Sequence, residues 1–380
     1  MRPLLPRQTP PPSPAMKSSS PSPTTVARKR LKTRSEEALN PSFADLPSSL
    51  LEDIMSRLEL KENIRASTAC KPWLEAGVAV RVVEQHPWLM CFPKRGNSFQ
   101  FRDPLKWKPY TLELPELADS TVRDSRYGWL LMQRSRKDEM FFFNPFSREL
   151  ISLPKLELRF RDIAFSGPPT SDNCVVIALN FARKYYVTIS TSHPGATEWI
   201  TTENIPTGNQ LFTMYNKIVY LNERFYCYNA GGADLYSFHP SSRTWSYHGY
   251  KDVGLDCNQD NKAAFLAERN GELFLMVTSG NEKPVVYKLV SLQWEEMSDA
   301  ELLDSLTFFV SFYNSEVRKN LPQMRNNVCF SRFGYNRKRC VTYSFDESSY
   351  NPSKEWGSWV ELCPPRSIWI DAPKNVLNYF

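Results

Sequence analysis

Catalytic and metal-binding residues betray themselves by type and spacing, and in this 380-residue sequence they are scattered. The four histidines are His86, His193, His239 and His248, and two of them sit directly before a proline in a recurring turn. No H-E-x-x-H zinc pair, G-x-S-x-G nucleophile turn, Walker phosphate loop or dinucleotide glycine fingerprint occurs. The eight cysteines are dispersed with no C-x-x-C pair, a pattern of reduced thiols rather than of a zinc site or a disulfide framework. Cys70 has no histidine in its neighbourhood to activate it. Tyr226 to Tyr228 with Gly231-Gly232 could line a sugar site, but an aromatic strand followed by a turn has the same composition. A glycosidase also needs two facing carboxylates, which spacing does not reveal. The expectation is a non-catalytic protein with no cofactor and no metal.

Binding chemistry is more legible. Residues 318–339 hold Arg318, Lys319, Arg325, Arg332, Arg337, Lys338 and Arg339 without an acid. Such a stretch suits an acidic or phosphorylated protein substrate, with a solvated inter-strand loop as the plain alternative. The net charge of +6 has a different origin. Residues 1–40 contain eight of the 47 Lys/Arg and two of the 41 Asp/Glu, so the remaining chain has 39 of each. A neutral body argues against direct nucleic-acid binding. No apolar run reaches the roughly eighteen residues of a membrane helix. The first twenty-five residues lack the apolar core of a secretory signal.

The elements that must position these residues fall into four segments: 1–40, 41–87, 88–375 and 376–380. The first opens with eight Pro in twenty-three residues, which predicts a disordered, partly polyproline arm. Thr9, Ser13, Ser20 and Ser22 each precede Pro there. A basic cluster, Arg28, Lys29, Arg30, Lys32 and Arg34, is compatible with nuclear import, which leaves nucleus and cytoplasm as the expected compartments. From Pro41 three short helices are expected: one carrying Leu46, Leu50, Leu51, Ile54 and Leu58, a second over 62–70 stopped by Pro72, and a third over 73–85. From Trp88 onward short strands alternate with Gly, Pro, Asn and Asp turns, among them 140–143, 175–179, 224–228, 273–277, 285–289 and 340–345.

The strands repeat. Asp103-Pro104, Asn144-Pro145, His193-Pro194 and His239-Pro240 occupy one turn position, and Ile151, Trp199, Trp245, Trp294 and Trp359 follow it at spacings of 48, 46, 49 and 65. A period near 40–50 residues with about four strands each is the signature of a β-propeller, here of about six blades, against the alternative of an irregular β-sandwich. The long last interval, which contains the basic stretch, reads as a protruding insertion. The fold class is therefore α+β and multidomain: a small all-α unit followed by an all-β propeller.

The helical segment LPSSLLEDIMSRLELKENIRASTACKPW resembles an F-box through Leu46-Pro47, Leu50-Leu51, Ile54, Leu58, Ile64-Arg65, Cys70-Lys71 and Trp73. With FNPFSRE in an early blade and SIWIDAP near the end, the whole is similar to plant F-box proteins carrying a kelch-like domain of unknown function. It departs from true kelch repeats in lacking a paired glycine in each blade. The resemblance implies the substrate-recognition subunit of a Skp-cullin-F-box ubiquitin ligase. Leu46, Pro47, Leu50, Leu51, Ile54 and Leu58 would contact the Skp-type adaptor, Ile64, Cys70 and Trp73 would form the F-box core, and the propeller would capture a protein substrate. Alternatives are a propeller scaffold independent of any ligase or a carbohydrate-binding protein or hydrolase.

Overall fold

Hairpins whose central strands are buried on both faces build six sheets in the computed structural model of this chain. It describes residues 43, 46–58, 60–81, 86–106, 109–134, 139–183, 185–207, 217–229, 234–250, 262–279, 282–302, 305–321, 323–333, 340–352 and 367–371. The prolyl sites and the basic cluster of the tail, Gly231-Gly232, Arg337 to Arg339 and Trp359 lie outside these residues. Two units divide the chain, Met1–Leu46 and Pro47–Phe380.

The sheets are the blades of a six-bladed propeller. Blade one joins three early strands, Trp88–Cys91, Ser98–Arg102 and Pro109–Glu113, to the last described strand, Ser367–Ile370, which pairs with Trp88–Cys91 and closes the ring. Blades two to five are four-stranded meanders that start at Ser120–Arg126, Asp162–Phe165, Lys217–Leu221 and Lys262–Arg269. Apolar cores lie between neighbouring blades, as where Phe142 of blade two packs with Phe165 and Val176 of blade three. Large aromatic side chains suit these broad interfaces between twisted sheets.

The repeated turn has a physical basis. The side chain before each proline folds back onto its own turn: Asn144 Oδ1 accepts from the N–H of Phe146 at 2.9 Å, Asp103 Oδ1 from Leu105 at 2.8 Å, and His239 Nδ1 from Ser242 at 3.3 Å. The turns of blades two and four then reach the preceding blade. Arg148 donates to Glu113 O and pairs with Glu116, and Arg243 bonds Thr202. Ile151, Trp245 and Trp294 stand on outermost strands, and Trp199 immediately precedes one, donating to Pro154 O of the neighbouring blade at 2.8 Å.

Blade six departs from the meander. Its five strands run in the order Ser315–Lys319, Leu306–Val310, Asn327–Phe333, Cys340–Ser344, Ser349–Asn351, with the second and third parallel. The long last interval thus supplies an extra strand at one edge of the sheet, and the expectation of a protruding insertion is corrected at Arg318 and Lys319.

Three helices precede the blades: α1 (Ser48–Ser56), α2 (Leu60–Ala66) and α3 (Lys71–Arg81). Pro72 does not merely stop α2. It occupies the first turn of α3, where its missing N–H costs nothing. A one-turn helix, α4 (Asp299–Leu302), follows blade five and is closed by a capping box in which Ser298 and Glu301 bond each other's backbone N–H.

Candidate functional site

Packing of the helical unit decides which of its apolar residues remain for a partner. Pro47 has no N–H and its carbonyl accepts from Leu50 and Leu51, starting α1. Leu51 and Met55, four residues apart, turn inward and are 1% and 0% exposed. Beneath them Asn63 Nδ2 donates to Met55 O at 2.9 Å, and Ser67 Oγ donates to Asn63 O at 2.7 Å. Gly77 of α3 lies against this knot, where a Cβ would run into Ser67 Oγ and Met55 Cε. Glycine is what lets α3 approach α1 this closely.

The outward side of α1 is different. Leu50 is 45% exposed, Pro47 is exposed, and Ile54 and Leu58 are half-buried. Leu46, half-buried, precedes Pro47. Leu51 is corrected: it belongs to the interior of the helical unit, because the i, i+4 stripe it shares with Met55 is the one the unit consumes. Leu74 of α3, 46% exposed, adds an apolar residue to the surface. Cys70, just before α3, and Trp73, in its first turn, are half-buried, and Ile64 stands on α2.

The residues singled out for chemistry are dispersed through the structure. His86 Nε2 meets Asp103 Oδ1 at 3.0 Å. Burial alone would raise the pKa of Asp103. The bond and charge of His86, with the N–H groups of Leu105 and Lys106, hold it below the usual carboxylate value. His193 Nδ1 lies 3.0 Å from the carbonyl oxygen of Pro194, within its own turn. His248 Nε2 lies 2.6 Å from Ser237 Oγ, a contact that resembles a nucleophile–base pair, with Ser237 fully buried in its sheet. Tyr228 is buried against Trp294 and Tyr226 packs on His248, so both tyrosines of the sugar reading serve packing.

The basic stretch is divided by the fold. Arg318 stands on the innermost strand of blade six and pairs with Glu316 at 2.6 Å and Asp371 at 2.7 Å. Lys319 ends the same strand, Arg325 is exposed on the connection behind it, and Arg332 stands on Asn327–Phe333. The acids that satisfy Arg318 come from outside the stretch, one two residues earlier and one fifty-three later, which its acid-free composition concealed. Burial pushes the Glu316 carboxyl up, opposed by the charge of Arg318 and reinforced by Asp371. Asn314 completes this seam, its Nδ2 donating to Trp369 O at 2.8 Å and to Ser125 O at 3.0 Å, so one amide ties blade six to blades one and two. No sequence signal marked it.

Comparison with known proteins fits this division into helices and blades. A family model described as KIB1-4 beta-propeller matches residues 99–351. The Arabidopsis thaliana F-box protein At4g00893 is 61% identical over 94% of this chain and 94% of its own length. F-box/kelch-repeat protein At1g57790 of the same plant is 38% identical over 88% and 96%, and F-box protein At3g56470 is 34% identical over 89% and 90%. With a propeller matched across most of its blades and relatives covered nearly end to end, the chain belongs to the plant F-box proteins that carry a KIB1-4 beta-propeller.

Proposed function

We propose that this protein is the substrate-recognition subunit of a Skp-cullin-F-box ubiquitin ligase, non-catalytic in itself. The observation that carries the reading is the outward apolar surface of α1, Pro47, Leu50, Ile54 and Leu58, on a helical unit too small to cover it. An amphipathic helix that leaves such a stripe exposed gains by laying it in a partner's groove, at about 1.5–3 kcal/mol for each large side chain fully buried. The relatives' F-box names support a Skp-type adaptor as that partner, and through it a cullin-RING ligase. The propeller then holds a protein substrate by its connecting loops, since its strands are used in blade packing. Co-purification tests this: the full chain should retain adaptor and cullin, and Pro47→Asp/Ile54→Asp should lose both while the blades stay folded. Retention by the variant would refute the adaptor surface.

The tail adds a second proposal, nuclear delivery through Arg28, Lys29, Arg30, Lys32 and Arg34, motivated by the confinement of all net charge to residues 1–40. Neutralising the five should move a fluorescent fusion to the cytosol. An unchanged distribution would remove the idea.

A further inference from the structure

In a four-stranded meander the second-to-third turn and the connection to the next blade share one end of the sheet. In blades one to three that end carries the turn 92–97 and the connections 114–119 and 153–161. Strand Leu306–Val310 of blade six runs parallel to the second strand of the standard blade pattern, Asn327–Phe333, so its turn 311–314 joins the same end. Side-chain contacts knit these segments together. Phe312 packs edge-on against Tyr313 and Tyr313 against Phe92, at 5.2 and 6.5 Å between centroids. The Arg123 guanidinium lies 5.4 Å from the Phe160 ring. Four exposed bases flank this aromatic floor: Lys94 and Arg95 on the first turn, Arg159 and Arg161 on the connection. None of the four forms an ion pair among the described residues, in contrast to Arg318, and the acids nearest in sequence are Glu157 and Asp162.

We propose that this end of blades six, one, two and three is the substrate-docking surface, and that its occupant is an acidic polypeptide segment carrying aromatic residues. The proposal rests on the substrate-recognition reading and relocates capture from Arg318 and Lys319, whose strand is the innermost of its blade. Charge complementarity selects the occupant: unpaired bases above a partly exposed aromatic floor favour carboxylates that bring rings or alkyl groups with them. The chain from α3 enters the propeller at Trp88, paired with Ile370 at the far end of its strand, so this surface is not where the helices join.

The experiment uses the purified full chain and a fluorescein-labelled Glu/Tyr copolymer peptide, with a Lys/Tyr copolymer and a duplex DNA as comparators. The acidic peptide should bind, the basic one should not, and raising salt from about 50 to about 300 mM should weaken binding severalfold. Lys94→Glu/Arg95→Glu/Arg159→Glu/Arg161→Glu should weaken it about tenfold or more, and replacement of the same four by Gln, which leaves folding intact, should act in the same direction. Equal binding by wild type and variants would overturn the proposal, as would DNA binding as tight as the peptide's. Adaptor co-purification by the same variants separates the two claims. Wild-type protein that binds peptide but no adaptor defeats the ligase reading, and protein that binds adaptor but no peptide defeats this one.

Discussion

The helical unit and the propeller solve the same problem, hiding apolar surface, in opposite ways. Each blade packs its central strands against its neighbours, and the ring closes on itself through Ser367–Ile370. The propeller thus completes its own core and leaves apolar side chains such as Ile200 and Leu292 exposed only singly along its surface. Three helices in about forty residues cannot do this. They bury Leu51, Met55 and Ala76 and leave Leu50 and Leu74 nearly half exposed. Under the proposed function the difference separates two kinds of recognition: by the propeller it is a matter of loop chemistry, by the helices it is completion of a core.

Damage should therefore stay within the region it strikes. The largest effect belongs to Trp369, fully buried, its Nε1 donating to Val310 O at 3.1 Å and its ring edge-on to Phe309. Trp369→Ala should destabilise the propeller by about 3–5 kcal/mol in denaturant unfolding, with adaptor binding retained below the transition. Loss of adaptor binding at full propeller folding would break the comparison. Gly77→Ala should come next, at about 1–3 kcal/mol, because the added methyl meets Ser67 and Met55. Its cost should appear in the helical circular dichroism and in adaptor affinity, with the propeller's unfolding midpoint unmoved.

The smallest effect sharpens the boundary. Asp103 has a folded-state pKa below its ordinary value of 3.8. Its ionised form therefore adds stability that is complete above that value and disappears as pH falls through the lowered one. Acid unfolding of wild type against Asp103→Asn should show curves that converge only below about pH 4. Curves that already converge near neutrality would mean that the His86 contact contributes nothing.

Much of the fold was legible because propellers repeat. The x-Pro turn and the Ile/Trp that follows it mark the third and fourth strands of successive blades, and side-chain caps such as Asn144 explain why those residue types recur. The F-box stripe was readable for a similar reason, helical spacing of large apolar residues. What spacing could not settle was which side of α1 faces inward, since Leu50 and Leu51 are adjacent and equally apolar. Only the position of α3, set by Gly77, decides it. The basic stretch misled because its neutralising acids, Glu316 and Asp371, lie outside it, and because a parallel strand pair inside blade six breaks the meander the repeat implied. Phe92 and Tyr313 are far apart in sequence and meet only when blade six comes round to blade one.

The division of labour is tested most directly by titrating a purified Skp-type adaptor into the purified full chain carrying Leu50→Asp or no change, with the propeller's unfolding midpoint measured on the same samples. The exposed position of Leu50 predicts that wild type forms a one-to-one complex, that Leu50→Asp weakens it at least about tenfold, and that the unfolding midpoint stays where it was, since removing one large apolar contact and burying a charge each cost more than about 1.4 kcal/mol. Undiminished adaptor affinity in Leu50→Asp would contradict the claim that the outward side of α1 is the docking surface.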